Sequence, residues 1–438
     1  MFSIRDVVVL SIIAVSLPIC FMRPVYGILL WTVMAFLNPQ FFAWGISHLP
    51  LALAVAIPTL AGFLVFSFKV ERMLNLEVAL VVTLWLWFTA TSFNSIHDPL
   101  FAADADGVWY YWDQVSKIIL MTVVTVMVVD TWNRLRWMVL AIAGSFGLLV
   151  IHSLPGMILG GGAYRVYGPE HSMISDNNDF GLALNMALPF FFCLAKTESD
   201  RRLKWIMGFL FMATIPAIIF TYSRGALVGL IAVLFCMLLQ GKQKAILIPF
   251  ALLVFLFAAF LTPQAWRDRM NGTRPESLDK SAQSRLNSWS YSWRLAMDNP
   301  IMGGGFDAFT PALYARYAPD PTDVHGPHSV YFGVLAEHGF VGLLLYSTLV
   351  ISCFWTLRRI IKVAHYIDDS RSARYAEMLR FSLIGFLTSG AFLGRAYFDF
   401  FFSIVACVAI LKLVCRAEWA QDPESEEYVA TDSLEVGA

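Results

Sequence analysis

Long apolar blocks, separated by short polar connections, run along most of this chain and constrain its fold more than any other feature. They begin near residue 7 and recur up to residue 415. Several approach the ~20 apolar residues that a helix needs to cross a lipid bilayer. Hydrophobic residues make up 58% of the sequence and charged residues only 14%, whereas about 25% of the residues of a soluble domain are charged. The sequence therefore predicts an all-α polytopic membrane protein.

The charges of the connections predict which side of the membrane each one occupies. Basic connections such as 196–204 and 358–380 alternate with acidic or neutral ones, and loops rich in Lys and Arg stay in the cytoplasm. Pro18, Pro24 and Pro39 interrupt the first blocks, so we expect two short early helices that form one broken or hairpin-like unit. This arrangement gives about twelve transmembrane helices. The net charge of −1 gives no indication of a nucleic acid partner.

The same pattern divides the chain into four regions. We predict an N-terminal transmembrane bundle over 1–261, a large outer loop that folds into a helical cap over 262–328, C-terminal transmembrane helices over 329–417, and a disordered cytoplasmic tail over 418–438. Within the cap, the stretch 277–300 has the pattern of an amphipathic helix. Its large apolar side chains recur at helical spacing and are Leu286, Trp289, Trp293 and Met297.

Four arginines are candidate ligands for an anion. Arg224 lies between two apolar blocks, Arg285 on the predicted cap helix, Arg165 in an outer loop, and Arg395 inside an apolar block beside Asp399. An arginine near the membrane core is costly without a partner, and its guanidinium can hold two phosphate oxygens at once. The alternative is an arginine that reaches lipid headgroups or bulk water, and each position taken alone permits it.

The stretch from Asp323 to Gly342 places three histidines at the mouth of an apolar block. His325, His328 and His338 are not spaced like zinc ligands, so we predict no metal site. A histidine that faces a polar cavity can act as a general base near neutral pH, and Glu337 is close enough in sequence to orient one. A buried histidine with satisfied hydrogen bonds is the structural alternative. The polar groups clustered beneath a cap favour a functional site.

Several motifs together resemble a known family. "HSVYFGVLAEHGFVG" fits the pattern His–[Asn/Ser/Gln]–nine residues–Gly–two residues–Gly of bacterial O-antigen ligases and the related O-antigen polymerases, with His328, Ser329, Gly339 and Gly342 in the fixed positions. "YSRGAL", "NPIMGGGFDAF" and "YRVYGPEHSMISDNNDFGLALNMALPFF" resemble further elements of that family. The opening "LLWTVMAFLNPQ" resembles the O-glycosylation ligase branch. The resemblance covers most of the chain.

This resemblance implies a GT-C-type glycosyltransferase in the bacterial inner membrane, surrounded by membrane lipids, with its active site facing the periplasm. The donor would be a glycan linked to undecaprenyl pyrophosphate, and the acceptor would be a sugar hydroxyl of lipid A–core. Transfer would proceed with inversion and without a metal or another cofactor. An O-antigen polymerase or a protein O-glycosylation ligase would use the same donor. A secondary transporter is the alternative from another class, although the sequence shows no internal repeat and few acids inside its apolar blocks.

The resemblance also suggests a role for each candidate residue. Arg224 and Arg285 would hold the pyrophosphate as its charge grows, with one of the other two arginines assisting. His328 would take the proton of the attacking hydroxyl, with His338 as the alternative base and Glu337 orienting the histidine. His325 and His338 depart from the family pattern because they lie so close to the motif histidine.

Overall fold

Helices make up nearly all of the regular structure in the computed structural model of the protein. The structure describes residues 3–39, 42, 44–46, 49–67, 72, 75–99, 101, 104–160, 164–170, 172–240 and 275–420. Within these ranges there is no strand, which agrees with the predicted all-helical class. The apolar block 244–261, the first part of the predicted cap (262–274) and most of the predicted tail (421–438) lie outside the described residues.

Fourteen α-helices follow one another in the described residues. They are α1 (Ile4–Met22), α2 (Pro24–Leu37), α3 (Leu51–Phe66), α4 (Leu76–His97), α5 (Ala105–Val128), α6 (Trp132–Leu159), α7 (Asn177–Thr197), α8 (Arg201–Phe220), α9 (Arg224–Gln240), α10 (Pro275–Asp298), α11 (Pro311–Tyr317), α12 (Val330–Tyr366), α13 (Ser370–Gly390) and α14 (Asp399–Trp419). In the described residues, 8 helices are long and apolar enough to cross a membrane: α1, α4, α5, α6, α7, α8, α12 and α14. The helices α2, α3 and α9 are apolar but shorter. A polytopic membrane protein is therefore supported, while the count of about twelve spans stays a prediction.

The first two helices form a hairpin that packs against α3, which agrees with the predicted hairpin-like unit. The prediction of two short helices holds only for α2, because α1 has 19 residues, continues through Pro18 and is long enough to cross a membrane. The carboxylate of Asp6 near the start of α1 accepts a hydrogen bond from the Gly45 amide at 3.1 Å. In the same loop, the ring of Phe42 lies 5.1 Å from that of His152 near the end of α6. The start of α1 and the end of α6 therefore lie at the same face of the bundle.

The centre of the bundle is a set of closely packed phenylalanines around α14. The ring of Phe400 lies 4.8 Å from that of Phe146 on α6, 5.1 Å from Phe36 on α2 and 5.7 Å from Phe190 on α7. Aromatic rings at these separations add attraction to the apolar area that they bury. The three helices are therefore fixed against α14 directly beneath the connections that carry the candidate residues.

A buried ionic contact fixes α4 to α12 and α14 deeper in the bundle. Glu77 is fully buried. Its carboxylate accepts a hydrogen bond from Thr356 at 2.5 Å and pairs with Lys412 at 3.1 Å. A carboxylate in a membrane interior is costly unless it is paired in this way. The contact holds together the same helices whose other ends surround the cap.

The two faces of the bundle differ in charge. The ends of the bundle that carry the α5–α6, α7–α8 and α12–α13 connections form a basic face. Its cations are Arg134, Arg136, Lys196, Arg201, Arg202, Lys204, Arg358, Arg359, Lys362, Arg371 and Arg374. The opposite face, called the site face below, carries the cap and the α4–α5, α6–α7, α8–α9 and α13–α14 connections. The alternation agrees with the predicted sorting of loops by charge.

The described part of the cap has a small aromatic core of its own. Tyr291 of α10 stacks on Tyr314 of α11 with ring centroids 4.2 Å apart, and it donates a short hydrogen bond to the Ala308 carbonyl. Phe101 of the α4–α5 connection and Ala336 of α12 complete this cluster. The predicted amphipathic helix is thus present as α10, and it is packed against the bundle rather than standing apart from it.

Candidate functional site

The loop that leads to His328 is held in place by side chains of α10. Ser288 donates a hydrogen bond to the Gly326 carbonyl at 2.9 Å, and the Trp289 indole donates to the Pro327 carbonyl at 3.1 Å. Both donors lie on the side of α10 that faces the bundle. The position of the motif histidine therefore depends on the cap helix, although about forty residues separate them in sequence.

His328 has an unusual main-chain conformation. Its φ is +45°, in the left-handed region that L-amino acids rarely adopt. The α13–α14 connection approaches it closely at Gly394, where a side chain would press on Pro327 and on the amide of His328. Strain of this kind persists only where the surrounding contacts enforce it, and it concentrates at functional sites.

Charged groups from three elements surround the imidazole of His328. Burial lowers its pKa, and the positive charges of Arg285 and His325 lower it further, while Asp176 and Asp323 act in the opposite direction. The lowered pKa keeps the imidazole neutral at neutral pH. A neutral imidazole is the form that can accept a proton.

Arg224 and Arg285 lie within electrostatic range of each other, and Arg285 lies within electrostatic range of His328. The region around Arg224, Arg285 and His328 is called the basic mouth below. Burial lowers the pKa of Arg285, and the nearby positive charge of Arg224 lowers it further. Arg224 is the first residue of α9 and is exposed, whereas Arg285 is half-buried on α10. Two guanidiniums that repel each other gain stability when an anion with several oxygens lies between them. The sequence prediction that these two arginines act together is consistent with this arrangement.

Arg165 approaches the same mouth from the α6–α7 connection. The amide of Val166 donates to the Phe220 carbonyl at 3.0 Å, which ties this connection to the end of α8. The Arg165 side chain is exposed and lies within electrostatic range of Tyr222, two residues before Arg224. Tyr222 has a φ of +56°, which sets the sharp turn into α9. Arg165 thus lies at the rim of the basic mouth.

Arg395 is engaged in an ion pair. Its guanidinium lies 2.6 Å from the carboxylate of Asp179 at the start of α7, and the Asp179 side chain is nearly buried. Asp176, the N-cap of α7, is also within electrostatic range of Arg395. The pair joins the α13–α14 connection to α7. Arg395 is therefore linked to the surroundings of His328 by Asp176, which influences both side chains. Its guanidinium is already paired with the carboxylate of Asp179.

His325 is oriented by its neighbours. Its Nδ1 lies 2.9 Å from the carboxylate of Asp323, and the Tyr314 hydroxyl donates to its carbonyl at 2.5 Å. The rings of His325 and His328 have centroids 6.1 Å apart. His325 is thus a second imidazole at the same mouth, half exposed to solvent.

His338 lies in an aromatic enclosure away from this mouth. It is fully buried, its Nδ1 is 2.7 Å from the Thr91 hydroxyl, and its ring stacks on Phe88 at 4.0 Å and meets Phe306 at 4.7 Å. No described group bonds to its Nε2. Helical rise over the residues that follow His328 separates the two histidines by about 15 Å. By this separation, His338 lies apart from the basic mouth.

Glu337 has a hydrogen-bond partner outside the histidine stretch. Its carboxylate accepts a hydrogen bond from the Tyr397 hydroxyl at 2.5 Å. Among the described residues, no hydrogen bond joins Glu337 to His328, so its role in orienting that histidine stays a prediction. The carboxylate of Asp323 contacts His325 instead. Tyr397 and Asp323 were missed as partners. The Glu337–Tyr397 contact spans 60 residues, so no local sequence signal could have revealed it.

The glycines of the motif dock the cap onto the transmembrane helix. Gly339 interrupts α12 with φ 67° and ψ −171°, which is a glycine conformation. The amides of Gly304 and Gly305 donate to the carbonyls of Ala336 and Glu337 at 2.8 and 2.7 Å. A side chain at Gly339 would overlap the main chain of the cap. The spacing of the motif therefore serves the fold at Gly339.

The chemistry available at this mouth follows from its residues. Arg224 and Arg285 together can neutralise a phosphate or diphosphate, and the neutral imidazole of His328 can accept a proton. In the described part of the chain, no three of the His, Cys, Asp and Glu side chains gather closely enough to hold a metal ion. The expectation of a reaction without a metal or cofactor stays a prediction.

Comparisons with known proteins find similarity in two parts of the chain. Residues 207–347 match the family model described as O-antigen ligase, a range that includes Arg224, Arg285 and His328. Residues 4–187 match a family of unknown function, DUF5935. No curated protein matches the chain significantly. The first match contains Arg224, Arg285 and His328, and it supports a relationship of this part of the chain to the O-antigen ligase and polymerase superfamily.

Proposed function

We propose that the protein is an O-antigen ligase of the bacterial inner membrane. It would transfer a glycan from undecaprenyl pyrophosphate to a sugar hydroxyl of lipid A–core on the periplasmic side. The observation that supports this most is the convergence of Arg224 and Arg285 beside a strained, half-buried His328. The superfamily match supports a lipid-linked glycan as the class of substrate. The donor, the acceptor and the GT-C-type mechanism are parts of the proposal.

The proposed reaction is one displacement with inversion at the anomeric carbon. The acceptor oxygen forms a bond to that carbon, and the bond from the carbon to the pyrophosphate oxygen breaks and leaves its electron pair on undecaprenyl pyrophosphate. The leaving group gains negative charge, which Arg224 and Arg285 stabilise because they already lie at the mouth. The hydroxyl proton passes to His328, whose lowered pKa leaves it neutral before the reaction.

His328 is the better candidate for the base than His338. His338 is enclosed by aromatic rings and bonded to Thr91, so a sugar could reach it only after rearrangement of the core. Arg165 at the rim is suited to contact the outer phosphate or the first sugar. Arg395 is held by Asp179 and would act mainly by fixing the α13–α14 connection beside His328.

A transfer assay tests the proposal. Purified protein in liposomes would receive undecaprenyl-pyrophosphate-linked glycan and lipid A–core, in the presence of EDTA. We expect glycosylated lipid A–core from the wild type and loss of product from His328→Ala and from Arg224→Ala/Arg285→Ala. His97→Ala and Arg316→Ala are matched controls, because both side chains are exposed away from the mouth.

The other outcomes identify the alternatives. Elongation of the donor glycan without transfer to lipid A–core would identify an O-antigen polymerase instead. Transfer to a protein acceptor alone would identify a protein O-glycosylation ligase. Full activity of both arginine and histidine variants would contradict the proposed site. Proton-dependent uptake of solute without any transfer would favour the secondary transporter.

A further inference from the structure

One side of α10 is apolar and exposed. Leu286, Trp293 and Met297 lie on it with 53%, 49% and 58% of their surface accessible. The residues recur at intervals of seven and four, which places them on one side of a helix. An exposed apolar row of this size on a helix otherwise rich in polar residues requires an apolar partner.

The row is not free to turn towards the protein. The opposite side of α10 carries Tyr291 and Leu295, which are fully buried in the cap core, and Ser288, which bonds to the loop before His328. Turning the helix would break all of these contacts. The orientation of α10 is therefore fixed, with its apolar row facing outwards.

The row continues without a gap onto a helix that can cross the membrane. Trp293 meets the ring of Phe340 edge-on, with centroids 5.8 Å apart. Phe340, Leu344 and Ile351 follow one another down one side of α12, and Leu344 and Ile351 have 66% and 65% of their surface accessible. Because that side of a candidate span faces lipid, the surface continuous with it faces lipid too.

We propose that α10 lies in the leaflet on the site face, with Leu286, Trp293 and Met297 among the acyl chains. Arg285 then lies at the border between this apolar row and the polar interior of the site. In a bilayer, the polyprenyl chain of a lipid-linked diphosphate lies among the acyl chains, and its phosphates lie at the level of the headgroups. The boundary between its apolar and charged parts therefore lies at the same depth as Arg285. The membrane would thus set the depth at which Arg285 meets the donor. This second step rests on the proposed function; the location of the helix does not.

Spin labels would measure the location of the helix directly. The six native cysteines would be replaced, and single cysteines introduced as Leu286→Cys and Met297→Cys in liposomes. Leu344→Cys is the reference for lipid, and Ala315→Cys on the exposed side of α11 is the reference for water. We expect both α10 labels to collide with oxygen rather than with a water-soluble nickel chelate, as the Leu344 label does. Labels that behave like the Ala315 label would overturn the proposal, and so would labels shielded from both reagents, which would show a protein partner.

A kinetic comparison would test the link to the donor. Leu286→Gln/Met297→Gln should raise the apparent KM for the polyprenyl-linked donor in liposomes by about tenfold, because two apolar contacts with lipid are lost. We expect an unchanged kcat at saturation and no effect of the matched Ala315→Gln variant. An unchanged KM would contradict the depth argument. Absence of transfer by the wild type would instead refute the proposed function, and the spin labels would still decide where α10 lies.

Discussion

At the scale of single residues, the proposed mechanism requires one neutral imidazole beside two cations. The pKa of His328 is lowered by burial and then by Arg285 and His325, with Asp176 and Asp323 opposing. The neutral base is thus present at a lower pH than it would be for an ordinary histidine of pKa about 6.5. In a plot of kcat against pH, the midpoint of the low-pH limb should accordingly lie below that value.

Arg285→Gln should move this limb to higher pH. The substitution removes a positive charge that disfavours the imidazolium, so the pKa of His328 rises and the base becomes protonated earlier as the pH falls. The measurement is kcat against pH at saturating donor, with Arg316→Gln as the control on the same cap. A limb that stays in place or moves to lower pH would show that His328 is not the base.

A variant at Arg395 would distinguish a structural role of this side chain from a role in binding the donor. Arg395→Ala leaves the Asp179 carboxylate nearly buried without its partner, which should lower the free energy of unfolding by about 3 kcal/mol. The double variant with Asp179→Ala should lose less than the sum of the two single changes. Thermal unfolding in detergent measures both effects. If Arg395→Ala instead raises the KM for the donor at unchanged stability, the arginine binds pyrophosphate directly.

The residue scale also shows what the sequence could predict. The grouping of Arg224, Arg285 and His328 followed from the order of motifs and is consistent with the structure. The partners of Glu337 and Arg395 did not follow, because they lie 60 and 216 residues away. Only the packing of α7, α12 and the α13–α14 connection brings these groups together.

At the scale of elements, the junction between cap and membrane helix depends on Gly339. Its φ of 67° and the adjacent main chain of the cap leave no room for a side chain. Gly339→Ala should therefore lower the free energy of unfolding by at least about 2 kcal/mol. Gly144→Ala is the matched control, because nothing lies near Gly144 and alanine favours the helix there. Equal melting temperatures for the two variants would contradict this account of the motif.

The elements themselves were largely predictable from apolar blocks, but their faces were not. The spacing of Leu286, Trp293 and Met297 predicted an amphipathic α10, and the helix is there. The cap core is built instead on the other side, around Tyr291 and Leu295. The periodicity of a sequence indicates that a helix has an apolar side. It does not indicate whether that side contacts lipid or a protein core, because both are apolar. The choice between them is made by tertiary contacts such as the stacking of Tyr291 on Tyr314.

At the scale of the whole molecule, the contrast between the basic face and the site face predicts the orientation in the membrane. Moving a loop such as 196–204, with its several Lys and Arg residues, across a bilayer is costly, so the basic face should stay in the cytoplasm. Contacts of Asp6 with Gly45, and of Phe42 with α6, place the start of α1 at the site face. The predicted orientation therefore has the start of α1, the cap and the basic mouth all outside.

Labelling with a membrane-impermeant maleimide in intact cells would test this orientation. Single cysteines would be placed at exposed positions as Ile4→Cys at the start of α1, Ala312→Cys in the cap and Ser199→Cys between α7 and α8. We expect labelling of the first two in intact cells and of Ser199→Cys only after permeabilisation. Labelling of Ile4→Cys together with Ser199→Cys would mean that the α1–α2 hairpin does not cross as its contacts indicate. Labelling of Ala312→Cys only after permeabilisation would place Arg224, Arg285 and His328 in the cytoplasm, on the wrong side for a donor presented in the outer leaflet.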